Sequence, residues 1–386
     1  MPSQWLASGV VRCVLYASSI RQALLMSRSA VVADPVLLPY GDHGHNLRVF
    51  TPPTRNTRGA AAASGSTSAI VFFFGGGWRS GNPQQFEPHC RHLASRGMVC
   101  AAAEYRTNAV IRECIEDAGC AVAALRARAD EFRFNPDRLV ASGGSAGGHL
   151  AIALCVCPLE GPASEARPNA CIGFNPNVTV CGLGRWAELT GFSPADGKGL
   201  PVYTEADCPM TALSWVEAGL DALTLPPMLI LHGEEDRAPT AYSSAKGFVE
   251  KYVALGGQAD LISYPNQAHG FFNKGSPVRV GRELTPGLAL GEENTTLFSD
   301  TLADVDEWLT HHGHIEHPPA TSIEIAQYFA GGAPVENVTP AVQAHHDVEK
   351  NDITAAWDNL NGGDDDLYDR VNSSMATGGS AEKAKL

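Results

Sequence analysis

Two observations predict an α/β fold, with a mostly parallel central sheet covered by helices on both faces. Short apolar runs of five to eight residues recur through the middle of the chain, and segments of helical period separate them. Runs that are apolar at every position suit strands buried on both faces, which is the parallel-sheet case. Strand–helix–strand order then makes the crossovers right-handed. A third observation bounds the size: 386 residues, 44% of them apolar, can bury a core across one large domain or two modest ones.

The first 33 residues contain Arg12, Arg21, Arg28 and six serines, with no acid before Asp34. That composition fits an organelle transit segment and also an amphipathic helix packed on the domain. Arginines interrupt every apolar run, which disfavours a secretory signal. Residues 46–50 read as an early strand, and the small, polar, Pro/Gly-rich residues 51–68 as the loop that follows. Buried strands are then expected at 69–74 (AIVFFF), 98–105 (MVCAAAEY), 138–142 (RLVAS), 170–174 (ACIGF), 228–232 (MLILH) and 260–264 (DLISY). Helices are expected at 111–132, 145–157, 240–255 and 298–309, the last with Phe298, Leu302, Val305 and Leu309 on one face.

About 50 residues lie between Pro176 and Pro226, well beyond ordinary loop length. They read as a cap insertion, about 176–226, over the end of the sheet. The main domain is expected to span 34–317. Residues 318–386 form an acidic tail expected to be largely disordered, because its final run is too polar to bury itself. The tail ends Ala384-Lys385-Leu386, a conservative variant of the peroxisomal SKL address. It competes with the N-terminal targeting reading.

The net charge of −14 argues against a nucleic-acid partner, since phosphate-binding surfaces need a basic excess. Half of that excess sits in residues 321–386, with 11 acids against 4 bases. All ten cysteines lie between Cys13 and Cys208, several inside apolar runs, and none forms a CxxC pair. Buried thiols in a reducing, intracellular compartment, the cytoplasm by default, explain them better than a disulfide framework. No stretch of 18 apolar residues offers a transmembrane helix.

The chemistry is concentrated in RLVASGGSAGGHLAIAL, residues 138–154. A strand, glycines on both sides of Ser145, and then a helix match G-x-S-x-G in the context that pattern requires. A sharp turn presents the serine hydroxyl, glycines let neighbouring backbone approach, and the helix N-terminus favours developing negative charge. A serine hydroxyl needs a base and an orienting acid. Asp236 lies four residues past one buried strand, in LILHGEEDRAP, and His269 five residues past the next, in YPNQAHGFFN. The chain order Ser145, Asp236, His269 suits this architecture. Glu234 and Glu235 compete for the acid's role, with the register favouring Asp236. In FFFGGGWRSGN, three glycines after a strand expose backbone N–H groups for an oxyanion, and Trp78 suits a pocket wall. His149, one helical turn after Ser145, reads as packing. His311, His312, His314, His317 and Glu316 match no established metal spacing.

Together GGGW, GGSAGGHLA, HGEEDRAP and QAHGFF resemble the α/β-hydrolases, and within them the hormone-sensitive-lipase-type carboxylesterases. The resemblance covers about residues 34–312. It implies an α/β-hydrolase fold, Ser145 as nucleophile, Asp236 as acid, His269 as base, and oxyanion donors at Gly76, Gly77 and Ala146. It implies no cofactor and a small-molecule ester substrate. The GGGW and HGFF pieces suggest short acyl groups, acetyl among them. The family usually reads HGGG, with a histidine that helps hold the glycine loop; here Phe74 takes that place. An amide hydrolase would use the same residues, and a ligand-binding homologue without chemistry would keep the same pocket.

Overall fold

The computed structural model describes residues 32–53, 67–157, 166–179, 225–237, 240–276, 278–280, 283–285 and 296–330. Eight strands form one sheet: β1 (Val36–Tyr40), β2 (His45–Phe50), β3 (Ala69–Phe73), β4 (Val99–Ala103), β5 (Leu139–Gly144), β6 (Ala170–Phe174), β7 (Met228–Gly233) and β8 (Ala259–Tyr264). Their spatial order is β1-β2-β4-β3-β5-β6-β7-β8. β2 runs antiparallel to both β1 and β4, and every other pairing is parallel. A separate antiparallel pair joins β9 (Val278–Val280) to β10 (Glu283–Thr285).

Alternation along the strands divides the core in two. Ala69, Val71 and Phe73 of β3 join one apolar cluster, and Ile70 and Phe72 join the other. The first cluster is closed by α2 (Ile111–Arg126), α4 (Ala146–Val156) and α5 (Tyr242–Ala254); the second by α1 (Glu87–Ser95) and α6 (Leu297–His311). Every residue of α4 is buried, as its apolar sequence AGGHLAIALCV requires. The chain steps from β3 out to β4, then returns across β3 to β5. The carboxyl ends of β3 and β5 therefore border a switch point, where open α/β sheets place ligands.

The strands and long helices fall within a residue or two of expectation, with four differences. The expected helix at 111–132 splits into α2 and a short α3 (Ala129–Phe132), which a left-handed Arg133 (φ 61°) ends. β8, expected as a buried strand, is the sheet's edge and only half-buried. β1, α1, β9 and β10 lie outside the expected elements. The folded body also continues past the boundary expected at His317: α7 (Ser322–Ala330) packs Ile325 against Phe298 and Leu302. The cap insertion falls mostly on residues 180–224, outside the described residues, as do residues 1–31 and 331–386. No described helix is long and apolar enough to cross a membrane. Seven cysteines among the described residues are free thiols, six of them buried, and burial pushes Cys114 and Cys157 up to about 12.

One polar network locks α1 to α6. The Asp306 carboxylate, fully buried, accepts from Arg96 Nε at 2.7 Å, Arg96 Nη2 at 3.1 Å, His92 Nε2 at 3.1 Å and the Ala320 amide at 2.8 Å. Burial works to raise its pKa, but the hydrogen bonds and charges of His92 and Arg96 outweigh it and hold the carboxyl below its ordinary value. Asp306→Ala takes the carboxylate partner from the Arg96 guanidinium and should lower unfolding free energy by about 3–5 kcal/mol in denaturant titrations. Because the folded pKa is depressed, the native contribution is complete above the unfolded carboxylate pKa and is lost as pH falls through the folded one. The variant's stability should therefore fall less than the native protein's between about pH 5 and pH 2.

Candidate active site

β5 ends at Gly144, and the chain turns at Ser145 with φ 53° and ψ −117°, a region that L-residues avoid. Its neighbours hold that conformation. The Ser145 N–H donates to the Phe174 carbonyl at 2.9 Å, and its carbonyl accepts from His149 N at 3.0 Å and Asn177 N at 3.2 Å. Close approach explains the flanking glycines. A Cβ at Gly143 would lie 2.6 Å from the Phe73 carbonyl oxygen, and one at Gly147 would overlap that same oxygen. The turn thus fits only where β3, β5 and the start of α4 meet.

The loops after β7 and β8 bring the other two side chains to this edge. They are zipped together by Glu234 N to Tyr264 O at 3.1 Å and Glu235 N to Gln267 O at 3.0 Å. His269 Nε2 lies 2.9 Å from Ser145 Oγ, and His269 Nδ1 lies 2.8 Å from Asp236 Oδ2. Of the three neighbouring acids, Asp236 meets the imidazole. Glu234 and Glu235 are exposed, with Glu234 accepting from Ser263 Oγ at 2.7 Å.

Asp236 is buried, so its charge needs partners. Thr240 Oγ1 donates to Oδ1 at 2.8 Å, and Asn175 Nδ2 donates to Oδ2 beside the imidazole. Asn175 itself sits at φ 42° just past β6, anchored by its N–H on the Leu231 carbonyl at 2.8 Å. Nothing in the sequence marks Asn175 or Thr240, because their roles arise only when separate loops converge. His232, buried at the end of β7, brings Nε2 to 3.9 Å from the same carboxylate; burial lowers its pKa although the Asp236 charge opposes this.

The glycine loop after β3 lies against this turn. A Cβ on Gly75 would sit 3.2 Å from Ser145 Cβ. Gly76 and Gly77 have φ 125° and 61°, and their N–H groups, like that of Ala146 at the start of α4, meet no acceptor among the described residues. The helix N-terminus adds its partial positive charge there. Phe74 stacks on Tyr105, rings 4.1 Å apart and 16° from parallel, and the Tyr105 hydroxyl donates to the Phe74 carbonyl at 2.7 Å. Trp78 is 3% exposed, in the same core cluster as Phe74, with its ring edge-on to His149. The histidines after α6 go separate ways: His312 stacks on Trp308, and His314 reaches Ser68 Oγ at 3.1 Å.

Residues 59–160 match the family model BD-FAE. The thermophilic esterase Est2 of the Planctomycetes species Thermogutta terrifontis, solved with propionate bound, is 31% identical, with a TM-score of 0.57 over 74% of this chain and 96% of its own. The chain belongs to the carboxylesterase family of α/β-hydrolases. The butyrate-bound form of that esterase gives a TM-score of 0.57 at 30% identity, over 75% of this chain and 98% of its own. "Probable carboxylic ester hydrolase LipM" of Mycobacterium tuberculosis is 26% identical over 257 residues, 64% of this chain and 56% of LipM. The isoprenylcysteine alpha-carbonyl methylesterase ICME of Arabidopsis thaliana is 25% identical over 231 residues, 55% of this chain and 53% of its own. The chain spans about half the length of these curated relatives.

Burial works to lower the His269 pKa, but 35% of the side chain stays exposed, and the charge and hydrogen bond of Asp236 raise the pKa above the ordinary histidine value. An NMR titration should place His269 above about 6.5, the unperturbed value. Asp236→Asn, which removes the negative charge that favours the imidazolium, should bring it down.

Proposed function

We propose that this carboxylesterase-family protein is a serine hydrolase of carboxylic esters with short acyl groups, acetyl esters included, and that Ser145, His269 and Asp236 act as nucleophile, base and acid. The observation that carries the reading is the unbroken line Ser145 Oγ, His269 Nε2, His269 Nδ1, Asp236 Oδ2, with both gaps under 3 Å.

On this reading Ser145 Oγ attacks the ester carbonyl carbon while its proton passes to His269 Nε2, and the carbonyl π electrons move onto oxygen. The oxyanion sits against the N–H groups of Gly76, Gly77 and Ala146, where loss of one donor costs roughly 3 kcal/mol of barrier. Collapse of the tetrahedral intermediate breaks the carbon–oxygen bond of the alcohol, which leaves with the proton from the imidazolium. Water then repeats the sequence on the acyl-enzyme, and Ser145 regains its proton. Asp236 fixes the imidazole with Nδ1 protonated and offsets its transient charge, while Asn175 and Thr240 keep the carboxylate aimed. Support for short acyl groups comes from the propionate- and butyrate-bound structures of the thermophilic esterase. No cofactor takes part.

Ser145→Ala should lower kcat on a chromogenic acetate ester by roughly 10⁴-fold or more, with the thermal midpoint within a few degrees of the native protein. A fluorophosphonate should label the native chain at Ser145. Turnover unchanged in the variant removes the assignment, and a profile across acyl lengths that peaks on long chains removes the short-acyl part.

A further inference from the structure

The segment after the glycine loop carries a side chain that ties two loops of the site together. Gln85 lies in a single 3-10 turn, Pro83–Phe86, which Asn82 caps by accepting from the Gln84 N–H at 3.0 Å. Its Oε1 accepts from the Gly75 N–H at 2.6 Å. Its Nε2 donates to Asn273 Oδ1 at 2.9 Å, and Asn273 Nδ2 donates to the Gly270 carbonyl at 3.0 Å. Gly270 follows His269 directly, and its carbonyl also accepts from Asn273 N at 3.2 Å and Ser276 Oγ at 2.9 Å.

The direction of this relay is forced. A backbone N–H can only donate, so the oxygen of Gln85 must face Gly75; the Gln85 amide nitrogen must then face Asn273, and the oxygen of Asn273 must receive it. The amide nitrogen of Asn273 is left for a carbonyl, which can only accept. The chain of bonds runs from a fixed donor to a fixed acceptor and closes without a mismatch. Neither amide can flip without setting two donors or two acceptors face to face.

The peptide between Phe74 and Gly75 is held at both ends as well. Tyr105 Oη donates to its carbonyl at 2.7 Å, and Gln85 accepts from its N–H. That peptide plane sets where the chain enters Gly76, whose N–H is one of the three without an acceptor.

We infer that Gln85, with Asn273, is a positioning residue that fixes the glycine loop relative to the His269 loop. It sets the distance between the oxyanion donors and the imidazole without touching substrate. The inference rests on the reading of Ser145 as nucleophile and Gly76 and Gly77 as donors, and it adds the element that holds those donors in register with the base.

The test measures kcat, KM and thermal midpoint on a chromogenic acetate ester for Gln85→Ala, Asn273→Ala and the double variant, together with the rate of fluorophosphonate labelling. A loose oxyanion loop weakens an interaction made only in the transition state, so kcat and kcat/KM should fall together, by about 10- to 100-fold, with KM within about threefold of native. Labelling should slow in parallel. Because the two residues form one relay, the double variant should be no slower than the slower single variant. Activity within twofold of native for Gln85→Ala overturns the inference, as do losses that multiply in the double variant or a loss carried by KM alone. Where Gln85→Ala is too unstable to assay, Asn273→Ala on the other loop reads the same relay by the same criteria. A fully active Ser145→Ala would remove the underlying catalytic reading instead, so the two failures are distinguishable.

Discussion

The backbone of Ser145 is the constraint on which the site depends. A residue with φ 53° and ψ −117° carries about 1–3 kcal/mol of strain, and such a conformation persists only where its surroundings over-determine it. Here they do so from three sides. The end of β6 receives the Ser145 N–H, α4 and the segment after β6 donate to its carbonyl, and the carbonyl of Phe73 at the end of β3 presses against Gly143 and Gly147. Strands adjacent in space but distant in sequence supply these contacts, so the turn is a product of the sheet order. That is why glycine is needed beside the serine: any side chain at 147 would push β3 away from β5 and release the strain.

The same sheet order satisfies the buried acid. A carboxylate withdrawn from water costs several kcal/mol unless it is paired and hydrogen-bonded. Asp236 gains its partners from three segments: Asn175 after β6, Thr240 before α5 and His269 after β8. On the proposed mechanism the arrangement has a kinetic consequence. With Oδ1 held by Thr240 and Oδ2 shared by Asn175 and His269, the carboxylate cannot rotate to follow a wandering imidazole, so its charge stays where the imidazolium forms. Preorganisation of this kind removes reorganisation from the reacting step.

The sequence made the strands legible because their burial on both faces leaves continuous apolar runs, and β3 and β6 appear within a residue of expectation. Ser145, Asp236 and His269 were legible for a related reason: each follows a strong strand closely, so the strand itself locates the residue at the sheet's carboxyl edge. What escaped was set by contact and not by pattern. β1 carries Pro39 and exposes Val36 and Leu37, and so lacks a core strand's signature. α1 spends two of its five buried positions on His89 and His92, which break the apolar count. β8 reads as a buried strand from DLISY, yet being last in the sheet leaves it half open. Asn175, Thr240 and Gln85 look like ordinary loop polar residues until the loops meet.

Phe74 can be understood on the same physical terms. In this chain the glycine loop is held through its main chain: Tyr105 binds the Phe74 carbonyl, Gln85 binds the Gly75 N–H, and the Gly76 carbonyl closes the next turn by accepting from Arg79 N and Ser80 N. None of these contacts uses the side chain at position 74. That side chain is therefore free to serve packing, which it does by stacking on Tyr105 and so orienting the hydroxyl that clamps its own carbonyl. The loop's geometry follows from which peptide groups are bound, and the residue at 74 is set by what its ring must lean on.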